Sequence, residues 1–430
     1  MNIFCKKYGK KFGVFTFASL SIFLLSSCES MDSTLNKADQ VLGVANSSTA
    51  RSLITVAKAS DSKAALGGAL KSRATDYKSN PRALIQDIRS IKRDYENLLS
   101  LLSGNVKKKW GTKDAKMPSR TSYVKYTQNY KSRTIVDFDS GTITVETVDD
   151  KDVKTTLKNA IVTTLLTPDD PQAVDLFSDK PITLTSDKPP YLLKLVQDHQ
   201  GNAVATPPQA EAFAQHLLNK SISTREVTIQ DGNKIASFVK IQMVQNFENK
   251  QAEKYLPLVN RLAAEHKVST SLIFAMIRTE SNFNPFAVSS APAYGMMQLV
   301  PSSGGREAYR RVKGVDEMPT KEYLFDAEKN IELGVAYLGV LYYDQLNFVS
   351  NHTAREYCVI SAYNTGPSNV LRAFRDDPSK KDRVASINKI NGMEPPGVFD
   401  HLRKNLPYEE TRHYIVKVVD YRKQYVSLTN

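Results

Sequence analysis

The sequence has few cysteines, few histidines and a single tryptophan, and its N-terminal apolar run is too short to cross a membrane. In 430 residues it has 3 cysteines and 6 histidines. Residues 80–245 show neither metal-ligand spacing nor a glycine-rich loop for phosphate, and His413 has no second histidine or cysteine with which to form a metal pair. We therefore expect no metal site and no cofactor.

The apolar run, Val14 to Leu25, has 12 residues, whereas a membrane-spanning helix needs about 20. Four lysines precede it, as in a secretion signal: Lys6, Lys7, Lys10 and Lys11. Leu25-Ser26-Ser27-Cys28 follows directly and resembles the lipobox of bacterial lipoproteins. This resemblance implies a signal peptide at 1–27, cleavage before Cys28 and lipidation of Cys28. The alternative is an ordinary signal peptide with an incidental cysteine.

The remaining cysteines exclude an internal disulfide. After cleavage only Cys28 and Cys358 remain, and Cys28 would carry lipid, so no pair is available even in an oxidising compartment. Cys358 lies in the apolar stretch "EYCVISAY". That setting predicts a buried, inert thiol rather than a nucleophile.

The chain is basic. Its formal net charge is +13, and removal of the signal with its four lysines leaves +9. Such a charge is typical of proteins with an acidic partner, which includes nucleic acid, anionic lipid and acidic wall polymer. The charge does not choose among them, but the signal and the lipobox argue against nucleic acid.

The pattern along the chain changes twice, and about 150 residues per domain predicts two or three domains. Residues 28–79, rich in Ala, Ser, Lys and Asp, predict a lipidated tether with loose helices. Residues 80–247 predict a mixed α+β accessory domain that binds or positions a partner. Residues 248–430 are almost entirely helical in pattern. The predicted fold class is therefore α+β, with an all-α-dominated domain in second place.

Local signals define parts of the accessory domain. Asn80-Pro81 is a helix start, with a cap residue followed by proline. Two β-hairpins are predicted, with turns at Asp139-Ser140-Gly141 and Asp231-Gly232, and a helix over Val153 to Leu165. The basic stretch "NVKKKWGTKDAKMPSR", which holds Trp110, breaks the helical pattern. It predicts a solvated linker; contact of Trp110 with wall or lipid is the alternative.

An apolar helix ends at Glu280. Leu272, Ala275 and Met276 form its stripe. The helix dipole disfavours negative charge at that end, and apolar neighbours such as Ile277 and Phe283 add desolvation. Both effects raise the pKa of Glu280 toward the range in which a carboxylic acid donates a proton near neutral pH. Glu280 is therefore a candidate general acid, although glutamates without such a role are common at helix ends.

The residues after Glu280 resemble the soluble-lytic-transglycosylase domain, a lysozyme-like family that acts on peptidoglycan. The matching residues are Glu280-Ser281, Phe283, Asn284-Pro285, Ser289, Gly295-Met296-Met297-Gln298 and Pro301. Met296 replaces a leucine and is a mild departure. Three later segments match in order: "NIELGVAYL", "SAYNTGPSNV" and "LPYEETRHYIVKV". The agreement covers about 250–425, and the lipobox and N-terminal region add a likeness of architecture to membrane-bound members of the family.

The resemblance implies a lysozyme-like fold and a lytic transglycosylase that cleaves the β-1,4 bond between N-acetylmuramic acid and N-acetylglucosamine. Glu280 would protonate the glycosidic oxygen, then take a proton from the muramic C6 hydroxyl and so close a 1,6-anhydro ring. The N-acetyl group of the sugar would stabilise the positive centre. That would explain why the motif offers one carboxylate where most glycosidases use two.

The resemblance also implies four substrate-binding residues. Ser289 would hydrogen-bond the N-acetyl group or Glu280, or it is only a turn residue. Gln298 would bind from the groove wall, or bridge backbone groups instead. Tyr363 would orient Glu280 or the sugar, although a tyrosine at helical spacing is usually core. Asn364 follows it in the motif. Glu410 and Tyr414 are interpreted as site-wall or packing residues.

Two other functions stay open: a muramidase-type hydrolase on the same fold, and a non-catalytic peptidoglycan-binding lipoprotein. Reducing muramic ends on the products would indicate the hydrolase. The expected partners are peptidoglycan glycan strands and a membrane that holds the lipid on Cys28. We expect a periplasm-facing lipoprotein in the inner leaflet of the outer membrane. The sequence indicates no oligomeric state.

Overall fold

The structure is a computed structural model that describes residues 81–220, 222–377 and 380–428. The predicted signal peptide, Cys28 and the predicted tether at 28–79 lie outside the described residues. Among the helices of the described ranges, none combines the length and the apolar character needed to cross a membrane.

The first half of the described chain is an antiparallel sheet with helices against it. The helices are α1 (Pro81–Asp114), α2 (Val153–Leu165) and α3 (Pro207–Lys220). The strands are β1 (Ser122–Thr127), β2 (Ser132–Asp137), β3 (Thr142–Thr147), β4 (Ser223–Ile229) and β5 (Gly232–Gln242). Their order is β1-β2-β3-β5-β4, with every neighbouring pair antiparallel.

Both predicted hairpins are confirmed. In β2–β3 Asp137 pairs with Thr142, and in β4–β5 Ile229 pairs with Gly232, so the turns fall where the sequence places them. The helix predicted after the first hairpin is α2. Strand β1 was not predicted, because four successive residues of "SYVKYT" are buried and the strand shows no apolar–polar alternation.

The prediction for the stretch around Trp110 is wrong. Helix α1 continues through Trp110, which is fully buried. The Trp110 Nε1 donates to the Tyr130 carbonyl at 2.7 Å, and the Arg133 guanidinium lies 3.8 Å from the ring. Arg133 tolerates burial because it pairs with Glu146. The neighbouring lysines occupy the exposed face of α1 and make the stretch basic, although Trp110 belongs to the core. Trp110 therefore contacts neither solvent nor a wall surface.

The second half is helical, as predicted. Its helices are α4 (Phe247–His266), α5 (Thr270–Ser281), α6 (Gly304–Lys313), α7 (Lys321–Phe325), α8 (Ala327–Val340), α9 (His352–Thr365), α10 (Pro367–Ala373), α11 (Arg383–Asn391), α12 (Pro395–Asn405) and α13 (Glu409–Tyr425). Helices α4 and α13 pack along α5, which is almost entirely buried. Sheet and helices together confirm the α+β class.

Aromatic contacts join the two halves at the loop that follows α5. Tyr123 and Tyr191 of the sheet half lie with ring centroids 5.3 Å and 5.7 Å from that of Phe286. Tyr95 of α1 makes an edge contact with Tyr294 at 5.8 Å. The loop after α5 is therefore clamped between the halves, and any site on it lies at their junction.

Gly334 lies inside α8, where a glycine costs stability, so the sequence predicts close packing at this position, and the structure shows it. A Cβ there would lie 2.8 Å from the Met297 Cβ and 2.2 Å from its Sδ. Gly339 in the same helix differs, because its added Cβ would meet His266 at an ordinary 3.5 Å.

We expect Gly334→Ala to destabilise the protein by about 1–3 kcal/mol, because the added methyl displaces Met297. The matched control Gly339→Ala should be neutral, or stabilise by up to about 1 kcal/mol through helix propensity. Urea unfolding of both variants measures the difference. Equal free energies of unfolding for the two variants would contradict the packing argument.

Candidate active site

Glu280 lies one residue before the end of α5, where the sequence placed it. The helix ends at Ser281, and the Asn282 N–H donates to the Arg278 carbonyl from a left-handed backbone conformation. Glu280 is 5% exposed, and both predicted apolar neighbours, Ile277 and Phe283, are fully buried. The carboxyl group is therefore inside the protein rather than on its surface.

The turn behind Glu280 has an uncommon backbone. Asn282 and Phe283 have φ values of 47° and 65°, and a bulky residue rarely takes this conformation. The Asn282 side chain donates to the Phe138 carbonyl of the sheet half, while the Phe283 ring is fully buried. These contacts stabilise the strained turn, and the turn ends the helix directly after the carboxylate.

Tyr414 of α13 is the hydrogen-bond partner of Glu280. Its hydroxyl donates to Glu280 Oε1 at 2.6 Å. The nearest cation is Arg120, whose Nη1 lies 4.0 Å from Oε2. A hydrogen bond on Oε1 leaves Oε2, the oxygen on the side of Arg120, free to carry the acidic proton.

Burial raises the pKa of Glu280 from its ordinary value of 4.5 to about 7. Desolvation is the largest cause, and the charge of Glu410 acts in the same direction. The Tyr414 hydrogen bond and the Arg120 charge oppose it. The rise and its main cause confirm the prediction from the apolar context. Near neutral pH both the protonated acid and the carboxylate form of Glu280 are therefore populated.

Three residues from separate motifs hold the loop that carries Gly295-Met296-Met297-Gln298. Ser281 Oγ donates to the Met296 carbonyl at 2.8 Å, and the Tyr363 hydroxyl donates to the Met297 carbonyl at 2.8 Å. Asn330 Oδ1 accepts from the Met297 N–H at 2.7 Å. The segments that match the family in sequence thus converge on this one loop.

Each of the four predicted substrate-binding residues forms a side-chain hydrogen bond with another group of the protein. Ser289 Oγ donates to the Ala291 carbonyl, which is the contact of a turn residue. Gln298 Nε2 donates to the Gly295 carbonyl at 2.9 Å, while its buried Oε1 has no hydrogen-bond partner in the described part of the chain. Tyr363 holds the Met297 loop, and it lies close enough to Glu280 for the carboxylate to raise its pKa. Asn364 Oδ1 accepts from Thr411 Oγ1 at 2.7 Å.

A cavity of about 730 Å³ lies beside Arg120 and Glu410. Its wall includes Tyr95, Leu99, Met117, Arg120, Ser289 and Glu410. Glu280 itself is not part of the cavity wall, but Arg120, which is, has its Nη1 4.0 Å from Glu280 Oε2. Over 81–220, 222–377 and 380–428, no three His, Cys, Asp or Glu side chains are grouped to hold a metal ion.

Two contacts of Glu280 were missed from the sequence. Tyr414 was interpreted as a site-wall or packing residue, and its direct hydrogen bond to Glu280 was not predicted. Its position four residues after Glu410 puts both on one face of α13, and that spacing was the available signal. Arg120 gave no signal, because it lies 160 residues before Glu280 in a stretch interpreted as linker.

Glu280→Gln should change stability in a pH-dependent way. At about pH 4 both folded and unfolded chains are protonated, so wild type and variant should be equally stable. As pH rises from 4.5 to about 7 the unfolded chain ionises while the buried carboxyl stays neutral, so the wild type loses stability. That loss is on the order of 3 kcal/mol, and a glutamine avoids it.

Unfolding of both proteins by urea at low and high pH measures this effect. The variant should be the more stable protein above pH 7, with Tyr414 still donating to the amide oxygen. A stability difference that stays constant with pH would show that the pKa of Glu280 is the same in the folded and the unfolded chain.

Two family models match the chain in succession. The N-terminal domain of membrane-bound lytic murein transglycosylase C matches residues 77–254, and the transglycosylase SLT domain matches residues 257–386. Among curated proteins, the membrane-bound lytic murein transglycosylase C of Yersinia pestis (strain Pestoides F) is 40% identical over 331 residues. That match covers 77% of this chain and 89% of the relative. The protein of the same name from Yersinia pseudotuberculosis (serotype O:1b) matches equally well.

Two solved structures are similar over part of the chain. One is an inactive mutant of the lytic transglycosylase Slt from Pseudomonas aeruginosa, with 26% identity and a TM-score of 0.31. The other is the 70 kDa soluble lytic transglycosylase from Escherichia coli, with 24% identity and a TM-score of 0.30. Each match covers 40% of this chain and 24% of the other, so the similarity spans about a quarter of those proteins.

The two domain models together span residues 77–386 with only a short gap, and the curated relatives match over most of their length. The SLT match confirms the predicted enzyme class. The chain belongs to the membrane-bound lytic murein transglycosylase C family.

Proposed function

We propose that the chain cleaves the β-1,4 bond between N-acetylmuramic acid and N-acetylglucosamine, with Glu280 as the single acid and base. Family membership makes it a peptidoglycan-cleaving lytic transglycosylase that takes part in cell-wall remodelling. The observation that carries the role of Glu280 is its buried carboxyl group, which has a pKa of about 7 and lies 4.0 Å from Arg120, a residue of the cavity wall.

The reaction has two proton transfers. Glu280 first gives its proton to the glycosidic oxygen as the bond to the muramic C1 breaks. The N-acetyl oxygen of the muramic residue stabilises the positive C1. The Glu280 carboxylate then takes the proton of the C6 hydroxyl while O6 bonds to C1, which leaves a 1,6-anhydro ring. Glu280 ends protonated again and no water is consumed, so one carboxyl group suffices.

Tyr414 supports both halves of this cycle. Its hydrogen bond stabilises the carboxylate that exists between the two transfers, and it opposes the desolvation that favours the acid. A group balanced near neutral pH can both donate and accept a proton.

Four residues are proposed to form the substrate wall. Ser289 lines the cavity, and Gln298 has a buried oxygen without a partner in the described chain; both support contacts to substrate amides or hydroxyls. Tyr363 and Asn364 are bonded to protein, so we propose that they shape the wall through the Met297 loop and Thr411.

The alternative hydrolase would need a second carboxylate to activate water or form a covalent intermediate. Glu410 is the one carboxylate among the groups that shift the pKa of Glu280. Its side chain is mostly exposed and its Oε1 is paired with Arg120, which favours a supporting role over that of a nucleophile.

We also propose the cellular arrangement. Residues 1–27 form the signal peptide, Cys28 carries lipid, 28–79 is the tether, 80–247 is the accessory domain and 248–430 is the catalytic domain. The protein faces the periplasm from the inner leaflet of the outer membrane, where peptidoglycan strands are within reach. A lipid anchor adds about 0.8 kcal/mol of membrane affinity for each buried CH₂, so several acyl chains hold the protein firmly.

Glu280→Gln should lower the release of muropeptides from purified sacculi by about 10³-fold or more, because a glutamine can neither donate nor accept the proton. Mass analysis of wild-type products should show 1,6-anhydromuramic ends. Glu253→Gln, which removes an exposed carboxylate paired with Lys250 on α4, is the matched control and should keep wild-type activity. Near-normal release by Glu280→Gln would reject the role of Glu280, and reducing ends would favour the hydrolase.

Tyr414→Phe should lower activity by about tenfold to a hundredfold, since the lost bond to an ionised group contributes about 1.5–3 kcal/mol. It should also raise the pKa of Glu280 further, so the activity that remains extends to higher pH. Initial rates across a pH series test both effects. A rate loss without any change in pH dependence would mean that Tyr414 acts only in packing.

A further inference from the structure

Arg120 lies between two carboxylates at the cavity. Its Nη1 donates to Glu410 Oε1 at 3.4 Å and lies 4.0 Å from Glu280 Oε2. The three side chains differ in exposure, at 34% for Arg120, 71% for Glu410 and 6% for Glu280. One guanidinium thus faces both a buried acid and an exposed anion that competes for it.

The turn after Glu280 fixes the backbone around Arg120. Asn284 Nδ2 donates to the Arg120 carbonyl at 3.1 Å, and the Val288 N–H donates to the Ser119 carbonyl at 3.2 Å. Both donors belong to the loop that begins directly behind Glu280. The packing of the two halves therefore fixes the backbone position of Arg120 relative to Glu280.

The two members of the pair come from different parts of the chain. Arg120 belongs to the part that matches the N-terminal domain model, whereas Glu410 lies in the family-like segment "LPYEETRHYIVKV", beyond the SLT match that ends at residue 386. The cation thus comes from outside the region that supplies Glu280.

We propose that Arg120 and Glu410 are positioning residues for the transglycosylase reaction, and that their pair sets how readily Glu280 releases and recovers its proton. The inference rests on the proposed function of Glu280. The N-terminal region then completes the active site, because it supplies the cation of the pair.

The two members of the pair act in opposite directions. Arg120 favours the Glu280 carboxylate and lowers its pKa, whereas Glu410 raises it. Glu410 also draws the guanidinium toward itself, so removal of Glu410 releases Arg120 toward Glu280. The other titratable groups that face Glu280 are Tyr414 of α13 and Tyr363 of α9, and burial raises the pKa of both well above the ordinary tyrosine value.

Opposite shifts in the pH profile test the pair. The measurement is the dependence of kcat/KM on pH with soluble glycan strands as substrate, whose alkaline limb reports loss of the Glu280 proton. Arg120→Gln should move that limb up by about one pH unit, and Glu410→Gln should move it down. Arg120→Lys retains the charge and should stay near wild type. Arg261→Gln, at an exposed arginine of α4 paired with Glu265, is the matched control and should change nothing.

A titration that does not need activity covers the case of an inactive variant. The ¹³C NMR signal of the Glu280 carboxyl, assigned by its absence in Glu280→Gln, should titrate higher in Arg120→Gln and lower in Glu410→Gln. Unchanged values, or shifts of both variants in one direction, would overturn the proposal. If the wild type gave no anhydro products or Glu280→Gln stayed active, the proposed function itself would be wrong. If the chemistry were as proposed but the alkaline limbs of Arg120→Gln and Glu410→Gln did not separate, only the proposed role of the Arg120–Glu410 pair would be rejected.

Discussion

The site depends on one constraint, which is a carboxyl group kept out of water at the end of a helix. Glu280 is 5% exposed, and among the described residues the Tyr414 hydroxyl donates a hydrogen bond to it, while the Arg120 guanidinium lies 4.0 Å away. Burial of a carboxyl favours the acid form when desolvation outweighs its partners, as it does here, and this is unfavourable for stability above neutral pH but useful for proton donation. The surrounding elements keep that unfavourable arrangement in place.

Most of the motif residues support the buried carboxyl group indirectly, through hydrogen bonds to the backbone of one loop. Ser281, Asn330 and Tyr363 come from three segments, and all bond the backbone of Met296 or Met297. Gly334 lets the loop approach α8, where any side chain would meet Met297. A side chain matched to a family's active-site motif can therefore serve the site by fixing a wall. This explains why Tyr363, expected to orient Glu280 or the sugar, has its hydroxyl on a loop carbonyl.

The N-terminal half is part of the site's construction. Asn282 and Asn284, in the turn behind Glu280, bond carbonyl groups of Phe138 and Arg120, and Phe286 packs against Tyr123 and Tyr191 of the sheet half. These contacts form at the strained turn that follows α5 in the helical half. Because the same turn ends the helix at Glu280, the placement of the carboxyl and the docking of the accessory region are consequences of the same few residues.

The sequence alone determined the features that local chemistry specifies. These include the two hairpins from their glycine turns, the helix that ends at Glu280, the direction of its pKa from apolar neighbours, the burial of Cys358 and the close packing at Gly334. Only the tertiary structure decided which distant groups meet. The burial of Trp110 under Arg133, the hydrogen bond from Tyr414 to Glu280 and the approach of Arg120 to Glu280 each join residues that are 23 to 160 positions apart in the sequence. Spacing along a helix or strand fixes the face of a residue, but the partner of that face is set by packing between elements.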